Sequence, residues 1–177
     1  MALTKDELFE ILLHIDNVND YKELMVTNKT IGLILNKPVF WQKKIAFDNL
    51  PTIGHPSFKT WAKLKDIEQN KIPLFFKQLY TYNSHTFNFR NDLTIIHSIL
   101  TVMDKKIRPN DGGLSIQIVK QDEDEYDVLI IGGYLTPHRY HVERYFNLKE
   151  LKQLVFNIHY HFKQVGQYWD VVDQIDV

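Results

Sequence analysis

Thr4-Lys5-Asp6-Glu7-Leu8-Phe9-Glu10-Ile11-Leu12-Leu13-His14-Ile15, followed some twenty residues later by Pro38-Val39-Phe40-Trp41, decides the fold of the first quarter of this chain. Thr4 and Glu7 have the spacing of a capping box, in which the hydroxyl accepts the Glu7 amide and the carboxylate reaches back to Thr4. The helix so opened sets Leu8, Ile11, Leu12 and Ile15 on one face at three- and four-residue steps. Asp16-Asn17-Val18-Asn19-Asp20 breaks it, with Asn19 or Asp20 as the next cap. A second short helix carries Tyr21, Leu24 and Met25, and a third, from Asn28 to Leu35, carries Ile31, Ile34 and Leu35. Pro38 stops the third helix, because the residue before a proline is pushed out of the α region. Phe40, Trp41 and Ile45 then form a closing apolar turn.

Leu50-Pro51-Thr52-Ile53-Gly54-His55-Pro56 holds two prolines and a glycine, and marks a boundary between a helical module at 1–50 and a domain at 57–177. Beyond it, Ser57 caps a helix with Phe58, Trp61 and Leu64 on one side. Pro73 suits the first turn of a helix through Leu74–Tyr80. Asn91-Asp92 opens a helix to about Ile107, with Leu93, Ile96, Ile99, Leu100 and Met103 inward. The period then changes to two. Leu114–Val119 and the β-branched run Asp127–Tyr134 read as strands around an acidic turn, Asp122-Glu123-Asp124-Glu125, and Arg139–Phe146 as a third. Asn147 caps a last helix with Leu148, Leu151, Leu154, Val155, Ile158 and Phe162 on one face. The expected class is α+β: a helical module, then helices packed on a small antiparallel meander.

The 177 residues contain no cysteine, which excludes disulfides, thiolate zinc sites and a catalytic Cys. The charged start, Met1 to Glu7, lacks the apolar core of a signal peptide, and no apolar run approaches the ~20 residues that span a bilayer. The expectation is an intracellular protein, cytoplasmic or nuclear, without membrane contact. Net charge is −1, with Lys-rich residues 37–79 and an acidic stretch at 113–177. A nucleic-acid footprint calls for clustered Arg and a basic total, and neither is present. Lysine outnumbers arginine 17 to 4 and Asn and Ile are abundant, a bias of AT-rich coding such as that of some large DNA viruses, protists and low-GC bacteria.

The N-terminal residues resemble an F-box. Leu3 stands at the start, Glu7-Leu8 and Ile11-Leu12 follow at the family's spacing, and Ile15 comes next. Asp20-Tyr21 and Leu24 stand for its Asp-Leu and apolar residue, Val26-Thr27-Asn28-Lys29 for its Val-Cys-Lys region, and Pro38-Val39-Phe40-Trp41 for its closing motif. Thr4 replaces the usual Pro, Thr27 stands near the usual Cys, and Ile31 replaces the Trp of the third helix. The alternative reading of the same residues is an amphipathic start to one continuous domain. The resemblance implies a Skp-type adaptor protein of a cullin–RING ubiquitin ligase as partner, with a protein target held by the second domain. Three short helices cannot bury all their apolar faces against one another, so Leu8, Ile11, Leu12, Pro38, Phe40 and Trp41 become the expected contacts.

No phosphate-binding loop, nucleophile elbow or metalloprotease helix occurs, and Gly132-Gly133 lacks dinucleotide-binding spacing. No cofactor, metal or enzymatic activity is expected. His138 and His141 flank a strand start three residues apart, and His159 and His161 diverge by about 200° around a helix. Arg139, His141, Glu143 and Tyr145 share one face of the third strand, either as a polar recognition surface or as the solvent side of a sheet. The expected role is a non-enzymatic interaction adaptor. The alternative is a regulatory protein, viral in origin, that redirects nuclear or transcriptional machinery of a host without a ubiquitin ligase.

Overall fold

The computed structural model describes residues 3–89, 114–132, 138–140 and 145–171. Thr4 opens α1 (Lys5–Leu13) as its residue type dictates. Its hydroxyl accepts the Glu7 amide at 3.3 Å, and the Glu7 carboxylate accepts the Thr4 amide at 2.8 Å. Asn17, rather than Asn19 or Asp20, caps α2 (Val18–Thr27), its side chain accepting from Asn19 N–H at 2.8 Å. Asn28 closes α2 and caps α3 (Lys29–Leu35), accepting from Thr30 and Ile31 at 3.0 and 3.1 Å. A Cβ at Gly32 would stand 3.1 Å from the Met25 carbonyl, so a larger residue there would push α2 and α3 apart. Pro38 ends α3 and also begins a helix. It sits in the first turn of α4 (Pro38–Phe47), where its missing N–H costs nothing, so the expected closing turn is a ten-residue helix.

The chain divides into two compact units, Met1–Glu68 and Gln69–Val177. This corrects the boundary expected at 50–56: α5 (Phe58–Asp66) belongs to the first unit. The reason is Trp61, fully buried, whose ring meets Tyr21 at 5.0 Å and Trp41 at 5.6 Å. Its indole N–H donates to Asp48 at 2.7 Å. Leu50 and Ile53 of the intervening loop are buried as well, so its prolines shape a turn within a unit. The helical unit thus has five helices, where three short ones and a turn were expected. A single π-helical turn, Ile67–Lys71, carries the chain across the division.

In the second unit α6 (Ile72–Tyr82) buries Ile72, Phe75, Phe76 and Leu79. Asn83, at φ 53°, turns the chain directly into β1 (Ser84–Phe89). β2 (Leu114–Asp122) and β3 (Glu125–Gly132) pair antiparallel, and β4 (His138–Tyr140) and β5 (Tyr145–Phe146) both pair antiparallel with β3. The capping box of Asn147 and Glu150 opens α7 (Leu148–His161), which leads to the hairpin β6 (Phe162–Val165) and β7 (Tyr168–Val171). The sheet runs β4-β3-β2-β1-β7-β6, with β1 and β7 parallel. The class is α+β, but the expected three-stranded meander is one end of a larger mixed sheet, seven-stranded among the described residues, which β1, β7 and β6 extend.

Alternation sorts the strands. Phe87 and Phe89, Ile116 and Ile118, and Tyr126, Val128 and Ile130 are buried, and α7 adds Leu151, Leu154, Val155 and Ile158 to the core. The helix expected from Asn91 to Ile107, with Leu93, Ile96, Ile99, Leu100 and Met103, lies outside the described residues, as do residues 141–144 of the expected third strand. No described helix is long and apolar enough to cross a membrane.

Candidate interaction surface on the helical unit

The six residues expected to contact a partner separate into two groups. Ile11 is 51 % exposed, Pro38 is exposed and Leu8 is half-buried, whereas Leu12, Phe40 and Trp41 are core residues, Phe40 with no exposure at all. This corrects the expectation that the closing aromatic pair faces outward. Phe40 meets Phe9 at 5.1 Å, Trp41 at 5.0 Å and Tyr21 at 6.1 Å. The Trp41 indole donates to the Leu35 carbonyl at 2.5 Å. Because Pro38 starts a helix, Phe40 and Trp41 fall on the inward side of α4 with Ile45, one turn on.

What stays outside is a different set: Leu3, Ile11, Val26, Leu33, Val39 and Phe47, each between 45 and 87 % exposed. Leu8, Ile11 and Ile15 follow one another at three- and four-residue steps, and none of them is fully buried. α1 and α4 advance side by side in the same direction. Phe9 meets Phe40, the Leu13 carbonyl meets Lys44, and His14 meets Phe47 at 4.9 Å. The Lys43 ammonium lies over the Phe9 ring, 5.0 Å from its centroid, a cation–π distance. Single exposed apolar side chains are ordinary on any protein. Six spread over four short helices and the residue before them leave this unit with apolar surface that its own packing does not cover.

The polar centre of the unit was not foreseen. Lys44 is completely buried on the inward side of α4. Its ammonium donates to the Leu13 carbonyl and to Asp48, both at 2.7 Å, and lies 3.5 Å from Asp16. The signal was present in the sequence as a Lys between Phe40, Trp41 and Ile45 with an acid four residues on. Lys is so seldom fully buried that the pattern reads first as surface. Tyr21, also fully buried, donates to the Leu12 carbonyl. Burial, with Asp48 and Asp16 nearby, pushes its phenol well above the ordinary range, so it stays a neutral donor.

In the second unit the expected recognition face is only partly described. Tyr145 is 65 % exposed, across the ladder from Asp127. Arg139 pairs by its backbone with Ile131, its side chain lies outside the described residues, and so do His141 and Glu143. Of the four expected histidines, His141 and the side chain of His138 lie outside the described residues. His159 is half-buried with its ring on Trp169 at 4.9 Å, and His161 meets Tyr160. No group of three or more metal-ligating side chains occurs among the described residues. His85, unremarked in the sequence, is half-buried against Phe75 and Phe87, and burial lowers its pKa. The acidic turn supports the helix that follows. Asp124 accepts the Leu148 amide at 2.8 Å, at the N-terminus of α7, where a negative charge is favoured. Comparison of the chain with protein-family models, with curated proteins and with solved structures returns no match.

Proposed function

We propose that the protein is a non-enzymatic interaction adaptor inside the cell. Its helical unit docks on a Skp-type adaptor of a cullin–RING ubiquitin ligase, and the unit Gln69–Val177 holds a protein target. The observation that supports the reading is the exposure of Ile11 on α1 and of Val39 on the first turn of α4, in the stretch whose spacing resembles an F-box. Covering apolar surface stabilises a complex by roughly 25 cal/mol per Å² before the costs of association are met. The contacts are Leu8, Ile11, Pro38 and Val39. Phe40 and Trp41 act from beneath by holding α4 in place.

The test is co-purification of the full chain with a Skp-type adaptor, for the native sequence and for Ile11→Glu with Val39→Glu. Both positions are more than half exposed, so the charges leave the core intact. The native chain should retain the adaptor and the folded double variant should lose it. A native chain that captures no adaptor, or a double variant that captures it equally well, refutes the proposal.

A further inference from the structure

We infer that Lys44 is a register lock for α1: a buried ammonium that fixes where the first helix sits along α4, while apolar packing supplies most of the stability. Such a lock acts whatever the unit binds. α1 has nine residues, too few to be stable in isolation, so its place is set by what it packs on. Phe9, Leu12 and Leu13 supply apolar contact, and such contact is non-directional. Sliding α1 by one turn would still set apolar side chains against α4. It would also carry the Leu13 carbonyl about 5.4 Å along the helix axis, out of reach of any fixed donor.

Lys44 is that donor. An ammonium has three N–H groups, and here three acceptors surround it: the Leu13 carbonyl at 2.7 Å, Asp48 at 2.7 Å and Asp16 at 3.5 Å. The Leu13 carbonyl belongs to the last turn of α1, where carbonyls have no partner within the helix and the dipole is negative. Asp48, whose side chain is 4 % exposed, accepts with its other oxygen from the Trp61 indole at 2.7 Å, with Lys65 3.8 Å away. One cation therefore joins the end of α1, the turn after it and α4, and through Asp48 it reaches α5. The Phe47 and Trp61 rings lie 5.4 and 5.5 Å from the ammonium and close the site from the sides. In any other register the ammonium would lose its shortest helix-to-helix acceptor while staying buried. That penalty is what selects the observed one.

Removing one member of a buried ion pair leaves an uncompensated charge, whereas removing both leaves the apolar packing in place. What marks a lock is that the placement of α1, and not the overall stability, depends on the pair. The experiment compares the full native chain with Lys44→Met and with Lys44→Met plus Asp48→Asn. The asparagine keeps an acceptor for the Trp61 indole. The single variant leaves a buried carboxylate short of its main counter-ion and should have the lowest denaturation midpoint. The double variant should recover a midpoint close to native. Its α1 amides should nevertheless exchange with deuterium at least ~10-fold faster than in the native chain, while α3 and α4 amides keep native rates. Native protection of α1 in the folded double variant overturns the inference. So does uniform loss of protection across the unit, or a double variant that is no more stable than the single one or fails to fold.

Discussion

Phe40→Ala should strip the helical unit of most of its stability, whereas its neighbour Val39→Ala should hardly matter. Phe40 is fully buried, with three aromatic rings within 6.1 Å, and Val39 is 58 % exposed. Burying an aromatic side chain removes about 150–250 Å² from water, which at 25 cal/mol per Å² is about 4–6 kcal/mol. That figure is an upper bound, since unfolded chains already hide part of the area, and large-to-small changes of this kind cost about 3–5 kcal/mol. A unit spanning Met1–Glu68, at about 0.05–0.15 kcal/mol per residue, has only about 3–10 kcal/mol in total. The urea midpoint should therefore fall by at least ~1 M for Phe40→Ala, while Val39→Ala stays within about 0.5 kcal/mol. Trp41 and Trp61 both lie in this unit, and their fluorescence reports its unfolding. Equal midpoints for the two variants would refute the burial of Phe40 and the inward orientation of α4.

Further outcomes follow from the second unit. Leu154→Ala, at a position 5 % exposed on α7, should cost roughly 2–5 kcal/mol, and exposed Lys152→Ala less than about 0.5 kcal/mol; denaturant midpoints compare them. His85 has its pKa lowered by burial, so the folded state binds fewer protons than the unfolded one once pH drops below about 6.5. Its contribution to stability is complete above that pH and declines with acid, and His85→Phe should flatten the change in urea midpoint between pH 7.5 and pH 5.5, values bracketing about 6.5. Asp124→Ala should cost about 0.5–2 kcal/mol through the lost bond to the α7 N-terminus, with Glu123→Ala near neutral in the same thermal melts.

Local signals in the sequence were legible where they acted alone. The capping box of Thr4 and Glu7 forms as expected, Asn147 caps α7 as expected, and the buried face of α7 follows its three- and four-residue steps. Pro38 misled because a proline that stops one helix also suits the first turn of the next, and α3 and α4 abut there. Phe162 continues the apolar periodicity of α7, yet the chain is already extended at that residue. The turn Gly166-Gln167, with Gly166 at φ 62° and Val165 opposite Tyr168, was the available sign of the β6–β7 hairpin. β1, with the polar sequence Ser-His-Thr-Phe-Asn-Phe, owes its place to pairing with β2 and β7, far away in sequence. The proposed contact surface was half legible for the same kind of reason. Spacing identifies which residues lie on helices, but only the packing of α4 decides that Phe40 and Trp41 face inward while Val39 faces out.

A calorimetric titration of the full chain with a purified Skp-type adaptor bears on the adaptor reading without intermediates. The expected result is saturable one-to-one binding with a negative heat-capacity change, the mark of apolar surface leaving water, and loss of that signal in the Ile11→Glu, Val39→Glu variant. No binding by the native chain, with both units folded, would contradict the reading.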